Sequence, residues 1–281
     1  HRVRLFCVVY THEANHDRIQ VIRQTWGKKC DGFMAASTKT IPSLDTINIP
    51  HHGPETYNNI WQKIRSVWSY IYHHYYDSFD YFHIGGDDLY LLVENFRLYL
   101  ESNEIRRASR ADDDDTTTTT TTTNVQKQRP LYLGRRFARH GDENLFFNSG
   151  GSGYALNKAA LKLLVASLPH CFPRAVTSAE DVMVATCLRR MGVFPYDDTK
   201  DENGGERFMP FTPGFHLTYR PGDGGGGSGA NDDWYLAYSV GELKVGYDHC
   251  SERSVAFHYV RGDLMKRMHA ILYGLCDEDY E

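Results

Sequence analysis

Four short stretches hold the side chains able to do chemistry. In YFHIGGDDLYLL (residues 81–92) an apolar run ends in two glycines and two adjacent aspartates, Asp87 and Asp88. Like charges side by side repel, and burying them unpaired is costly. They either form a solvated turn or hold something positive; a divalent cation reverses the penalty. The glycines let backbone or ligand approach closely. In SGGSGYALNKAALKLLV (149–165) the glycines, Gly150 and Gly151 among them, make either a tight exposed turn or an ordinary glycine-rich loop. The stretch lacks the G-x-x-x-x-G-K-[ST] spacing of a phosphate loop, which argues against ATP hydrolysis. In SAEDVMVATCLRRMG (178–192) Ser178 can cap a helix whose first turn holds Glu180 and Asp181. Acidic residues suit that position through the helix dipole alone; the chemical alternative is a general base pointing into a site. In SVAFHYV (254–260) the lone His258 is either a structural strand histidine or the imidazole that completes a carboxylate metal site.

These stretches need a scaffold. VRLFCVVY (3–10) reads as a buried strand, followed by a helix over 17–28 and two short strands in DGFMAAS and DTINIP. From Glu55 to Tyr76 the apolar positions Tyr57, Ile60, Trp61, Ile64, Val67, Trp68, Ile71 and Tyr75 recur at three- and four-residue steps. That spacing predicts one core-facing helical stripe. A strand over 81–85 runs into the aspartates, and a helix over 93–101 follows. Strands alternating with helices predict an α/β fold with a mainly parallel sheet, in which ligands bind beyond the carboxyl ends of the strands. The aspartates sit at such an end. Residues 103–130, centred on DDDDTTTTTTTT, and residues 222–233, GDGGGGSGANDD, read as flexible loop insertions in one domain spanning 1–281.

The 281 residues are 41% hydrophobic, enough for a large core, and the net charge is −5. No basic stripe appears, which argues against a nucleic-acid partner. No apolar run is long enough to span a membrane. Cys7, Cys30, Cys171, Cys187, Cys250 and Cys276 form no C-x-x-C pair, so a zinc ribbon is not expected. An even count is compatible both with disulfides and with buried thiols.

Taken together, the motifs resemble the animal core 1 β1,3-galactosyltransferases within the larger β1,3-glycosyltransferase group. The resemblance runs nearly end to end, through RLFCVVYT, IRQTWGKKC, YIYHHYYDSFDYFHIGGDDLYLL, YLGRRF, SGGSGYALNKAALKLLV, EDVMVATCLRRMGV, DTKDENGGERFMPFTPGFHL and SVAFHYV, in the family's order. It implies a GT-A fold and a manganese-dependent, inverting transfer of galactose from UDP-galactose. The acceptor would be N-acetylgalactosamine on Ser or Thr of a glycoprotein. It also implies the lumenal catalytic domain of a type II Golgi membrane protein, with the anchor outside this chain, and family members that can dimerise. Disulfides Cys7–Cys30 and Cys171–Cys187 are the pairs expected in that oxidising lumen.

By the same resemblance Asp88 and His258 are metal ligands, with Asp87 beside them in the metal and nucleotide-sugar site. Asp181 matches the base. Thr11, Arg135, Arg136, Gly150 and Gly151 fall at nucleotide-sugar positions, and Glu180, Trp234 and Tyr235 at acceptor positions. One position departs from the pattern: the family's acidic motif has three aspartates, and here Gly86 stands in the first place. Two alternatives therefore stay open, a related UDP-sugar transferase with another donor or acceptor, and a non-catalytic chaperone or sugar-binding relative.

Overall fold

The computed structural model describes residues 2–110, 128–197, 199–222 and 233–274. The chain begins with β1 (Leu5–Tyr10), α1 (His16–Gln24), β2 (Gly32–Ser37), β3 (Thr46–Asn48), α2 (Ile60–Tyr75) and β4 (Tyr81–Gly86). It continues through β5 (Tyr90–Leu91), α3 (Val93–Leu100), α4 (Asn103–Ala108), β6 (Tyr132–Gly134), β7 (Arg136–Arg139), β8 (Asp142–Asn148), β9 (Tyr154–Asn157) and α5 (Lys158–Ser167). The last elements are α6 (Glu180–Arg190), β10 (Phe208–Met209), α7 (Pro213–Thr218), α8 (Trp234–Tyr238), β11 (Ala256–Phe257) and α9 (Asp263–His269).

The central sheet has the order β3-β2-β1-β4-β9-β6. β3, β2, β1 and β4 run parallel, and β9 is antiparallel to both β4 and β6. This is the α/β architecture with a mainly parallel sheet that the order of elements predicts. Side chains alternate across each strand. Phe6 and Val8 of β1 therefore join α2, α5 and α6 on one face. Leu5, Cys7 and Val9 join α1, α3 and α9 on the other. Both faces are covered, so the central strands read as continuous apolar runs. The α2 stripe is core as expected, with Trp61, Ile64, Val67, Trp68 and Ile71 all fully buried. Tyr57 is the exception: it precedes the helix and is 73% exposed.

A small second sheet, β10-β11-β5, sits beside the first, with β11 antiparallel to β5. Its two-residue strands clamp the segment after Phe257 against the segment before Tyr90. His258 thus lies just past β11 rather than within a longer strand. Residues 103–108 correct a second expectation: Ser102 caps them through Ile105 N–H, and they form α4 instead of loop. The runs 112–123 and 223–232 lie outside the described residues. Arg110 and Gln128 face each other as an antiparallel bridge.

Cys7 bonds to Cys30 and Cys171 to Cys187, with Cα atoms 6.2 Å and 5.7 Å apart. Both pairs are those expected. Cys250 is free, and Cys276 lies outside the described residues. Among the described residues no helix is long and apolar enough to cross a membrane.

Candidate active site

A cleft of about 770 Å³ opens at the carboxyl ends of β1 and β4. Tyr10, Thr11, Gly86, Asp87, Asp88, Gly150, Gly151, Glu180, Asp181, Trp234 and His258 all line it. The parallel sheet delivers the first five. The glycine-rich turn before β9, the N-terminus of α6, α8 and the strand pair β5–β11 supply the rest.

The two aspartates part company. Asp87 is 7% exposed. Its Oδ2 accepts from Thr11 Oγ1 at 2.7 Å and Asn15 Nδ2 at 2.8 Å, and its Oδ1 accepts from Arg18 at 2.7 Å. Three of its lone-pair directions are engaged by protein and its charge is paired with Arg18, which leaves it less free than Asp88 to hold a cation. It ties β4 to α1 and fixes Thr11 in the cleft wall. Asp88 instead faces His258, with Oδ1 3.3 Å from Nε2. The small sheet enforces this approach: Val260 N–H donates to the Asp88 carbonyl at 2.8 Å and His258 N–H to the Met209 carbonyl at 3.0 Å. The other ring nitrogen, Nδ1, is 3.2 Å from the Pro210 carbonyl. A carbonyl only accepts, so Nδ1 carries the hydrogen there. In a neutral ring the Nε2 lone pair would face a carboxylate oxygen; in a protonated ring Nε2–H donates to it. Two acceptors facing each other are reconciled by a shared proton or by a shared cation, and an imidazole oriented by a second hydrogen bond is the usual form of a metal-binding histidine. The donor set therefore fits a cation. Burial alone would push the Asp88 carboxyl up; the His258 hydrogen bond and the charges of His258, Arg261 and Arg18 outweigh it and hold the group below its ordinary value. Among the described residues no three His, Cys, Asp or Glu side chains gather as a metal site.

The glycine-rich turn is built around its neighbours. A β-carbon on Gly150 would meet Glu180 Oε1 at 2.4 Å, and one on Gly151 would meet His258 Nδ1 at 2.5 Å. Only glycine permits both contacts. Gly150 N–H donates to Asp181 Oδ2 at 2.9 Å, and Val182 N–H to Asp181 Oδ1 at 2.8 Å. Burial pushes the Asp181 carboxyl above its ordinary value, and these two N–H groups only partly restore it. Raised basicity with a fixed orientation is what a general base requires. Glu180 accepts from the Tyr154 hydroxyl at 2.9 Å. Burial, then the Asp181 charge, push it well above the usual carboxylate range.

Three expected site residues lie elsewhere. Arg135 is 2% exposed and pairs with Glu206, with Ser239 as a further acceptor at 3.1 Å. Arg136 stacks over Phe146 at 4.8 Å. Neither lines the cleft, so neither is placed for a phosphate. Tyr235 is fully buried with its hydroxyl 2.8 Å from His249 Nε2; it supports α8 from beneath while Trp234 reaches the cleft. Conversely, residues not singled out for the site do line it. Lys63 is 2% exposed and donates to the Thr11 carbonyl and to Glu55. Burial pulls its ammonium below the ordinary lysine value, opposed by Glu55 and the Asp87 charge. Tyr57 and Tyr259 complete the rim. Lys63 was hidden in α2, where only its failure to continue the apolar face could have marked it, and Tyr57 kept the spacing of that face and carried no mark at all.

No protein-family model matches the chain. Glycoprotein-N-acetylgalactosamine 3-beta-galactosyltransferase 1 of Xenopus laevis is 26% identical over 281 residues, covering 100% of this chain and 69% of that protein. Chondroitin sulfate synthase 3 of Mus musculus is 25% identical over 168 residues, covering 56% of this chain and 16% of that protein. Among solved structures, a glycosyltransferase involved in the glycosylation of the major capsid of PBCV-1 aligns with a TM-score of 0.39 at 12% identity, over 70% of this chain and 82% of that one. The resemblance carried by the motifs thus extends over the whole chain, and the protein it leads to is one named for transferring a hexosyl group.

Proposed function

We propose that this protein is an inverting hexosyltransferase of the GT-A type that moves galactose from UDP-galactose, in β1,3 linkage, to N-acetylgalactosamine on a glycoprotein. The observation that carries this reading is the convergence on one cleft of Asp88, Asp181 and His258, which lie far apart in the chain. A binding module has no use for an oriented carboxylate of raised basicity.

Asp88 Oδ and His258 Nε2 would hold a manganese ion, a metal for which carboxylate and imidazole are suitable ligands. When bound, that ion supplies Lewis-acid compensation for the charge on the departing diphosphate. The protein does the rest. Gly150 N–H aims the Asp181 carboxylate. Asp181 takes the proton of the acceptor hydroxyl as that oxygen attacks the anomeric carbon, and attack from the face opposite UDP inverts the centre. General-base assistance of this kind is worth about 10²–10⁴-fold. Gly151 keeps His258 at the required depth, and Trp234 offers a flat apolar face to the acceptor sugar. The two disulfides suit an oxidising compartment, and the Golgi lumen is the proposed location.

Calorimetric titration of UDP, with manganese and then with EDTA, tests the reading. The expected result is manganese-dependent binding that disappears in Asp88→Ala, followed by transfer from UDP-galactose to an N-acetylgalactosamine acceptor. Absence of UDP binding in both conditions would sink the enzyme reading and leave the non-catalytic relative.

A further inference from the structure

Tyr10 ends β1 and stands in register with Gly86, the last residue of β4. A β-carbon on Gly86 would lie 3.4 Å from the Tyr10 hydroxyl and 3.0 Å from Asp88 Oδ1. The phenol and the carboxylate therefore converge on the volume that a side chain at position 86 would fill. The Tyr10 ring is packed against the core on the α2 face, which fixes its direction. Its hydroxyl borders the cleft and makes no hydrogen bond among the described residues. Asp88, Glu180, Asp181 and Tyr57 surround it closely enough to act on it electrostatically.

We propose that Tyr10 is a specificity-determining hydrogen-bond donor that reads a hydroxyl of the transferred sugar, and that Gly86 is glycine because it leaves room for that contact. The inference rests on the transferase reading and extends it. In an inverting displacement the leaving oxygen lies on the Asp88 side and the attacking oxygen on the Asp181 side. A group facing both carboxylates flanks the sugar ring between them. A sugar presents hydroxyls along its edge, and a neutral O–H group held among carboxylates is matched to a hydroxyl oxygen. A phenol keeps its hydrogen at neutral pH and so remains a donor. A site built to pair with a substrate hydroxyl discriminates strongly against the analogue that lacks it.

The test compares the parent chain with Tyr10→Phe, using UDP-galactose and its 2-, 3-, 4- and 6-deoxy analogues as donors. Tyr10→Phe is expected to lower kcat/KM for UDP-galactose about tenfold, as for one lost hydrogen bond, while the affinity for UDP alone is unchanged. With one of the deoxy donors the two chains should perform equally, because the hydroxyl that Tyr10 reads is already gone. A penalty equal across all donors, or none with any, would overturn the proposal while leaving the transferase reading standing. Absence of transfer by the parent chain from every donor would remove the transferase reading itself, and this inference with it.

Discussion

A carboxylate offers about four lone-pair directions, and Thr11, Asn15 and Arg18 already fill three at Asp87. Asp88, one residue on, meets the ring of His258 and is open to the cleft. The two should respond oppositely to the same change. Asp87→Asn removes the charge opposite Arg18 and weakens a buried network, so it is expected to cost about 1–3 kcal/mol of stability while manganese-dependent UDP binding persists. Asp88→Asn should keep its urea midpoint and lose the manganese dependence. Urea unfolding and calorimetry on both variants decide the matter: loss of UDP binding in Asp87→Asn without loss of stability would make Asp87 a direct ligand after all. The same logic separates Trp234 from Tyr235. Successive residues on a helix point about 100° apart, so one reaches the cleft while the other bonds His249 in the core. An adjacent pair of aromatics in the sequence does not tell which is which.

At the level of elements, the glycine-rich turn sets Asp181 and His258 in position relative to each other. A β-carbon on Gly151 would come within 2.5 Å of His258 Nδ1. Gly151→Ala must displace the imidazole, and the expected outcome is loss of manganese-dependent UDP binding with a far-ultraviolet spectrum unchanged. Retained binding would show that the ring has slack. The elements themselves were unevenly legible. β1, β4 and α2 announce themselves through unbroken apolar runs or a three-to-four-residue period, because their patterns follow from burial on one or two faces. β5, β10 and β11 have two residues each, too short for any period, and their pairing joins residues 91 and 256. That pairing brings His258 to Asp88, so their meeting could be foreseen only through the family resemblance. Tyr57 keeps the spacing of the α2 stripe yet precedes the helix, and spacing alone could not show that it turns outward. The Asn15–Arg18–Asp87 network was equally invisible, since polar residues in a first helical turn look solvated until a strand end is set against them.

Over the whole molecule, buried neutral histidines set the response to acid. His216 Nε2 accepts from Phe211 N–H at 3.1 Å, and burial lowers its pKa to about 2. Burial lowers His249 to about 4 and His83, fully buried with neither ring nitrogen partnered, to about 3. Unfolded, each takes up a proton near pH 6.5. Below that pH the unfolded chain binds protons that the folded chain refuses, so these groups stabilise the fold above about pH 6.5 and their contribution declines as pH falls toward 4 and lower. Glu180 and Asp181, raised in the fold, act in the opposite sense. The urea midpoint is expected to drop between pH 7 and pH 5, and His83→Leu, which removes one titrating ring without stranding a hydrogen bond, should flatten that drop. An unchanged slope in this variant would mean that His83 takes no part. A different consequence follows from the bridge between Arg110 and Gln128. A chain that leaves and re-enters a fold through one pair of facing residues can grow or shrink between them for about 0.6 kcal/mol per doubling in length. In the sequence the acidic and threonine-rich run joins those two facing residues, which gives evolution a place to vary and an engineer a position at which to insert a label.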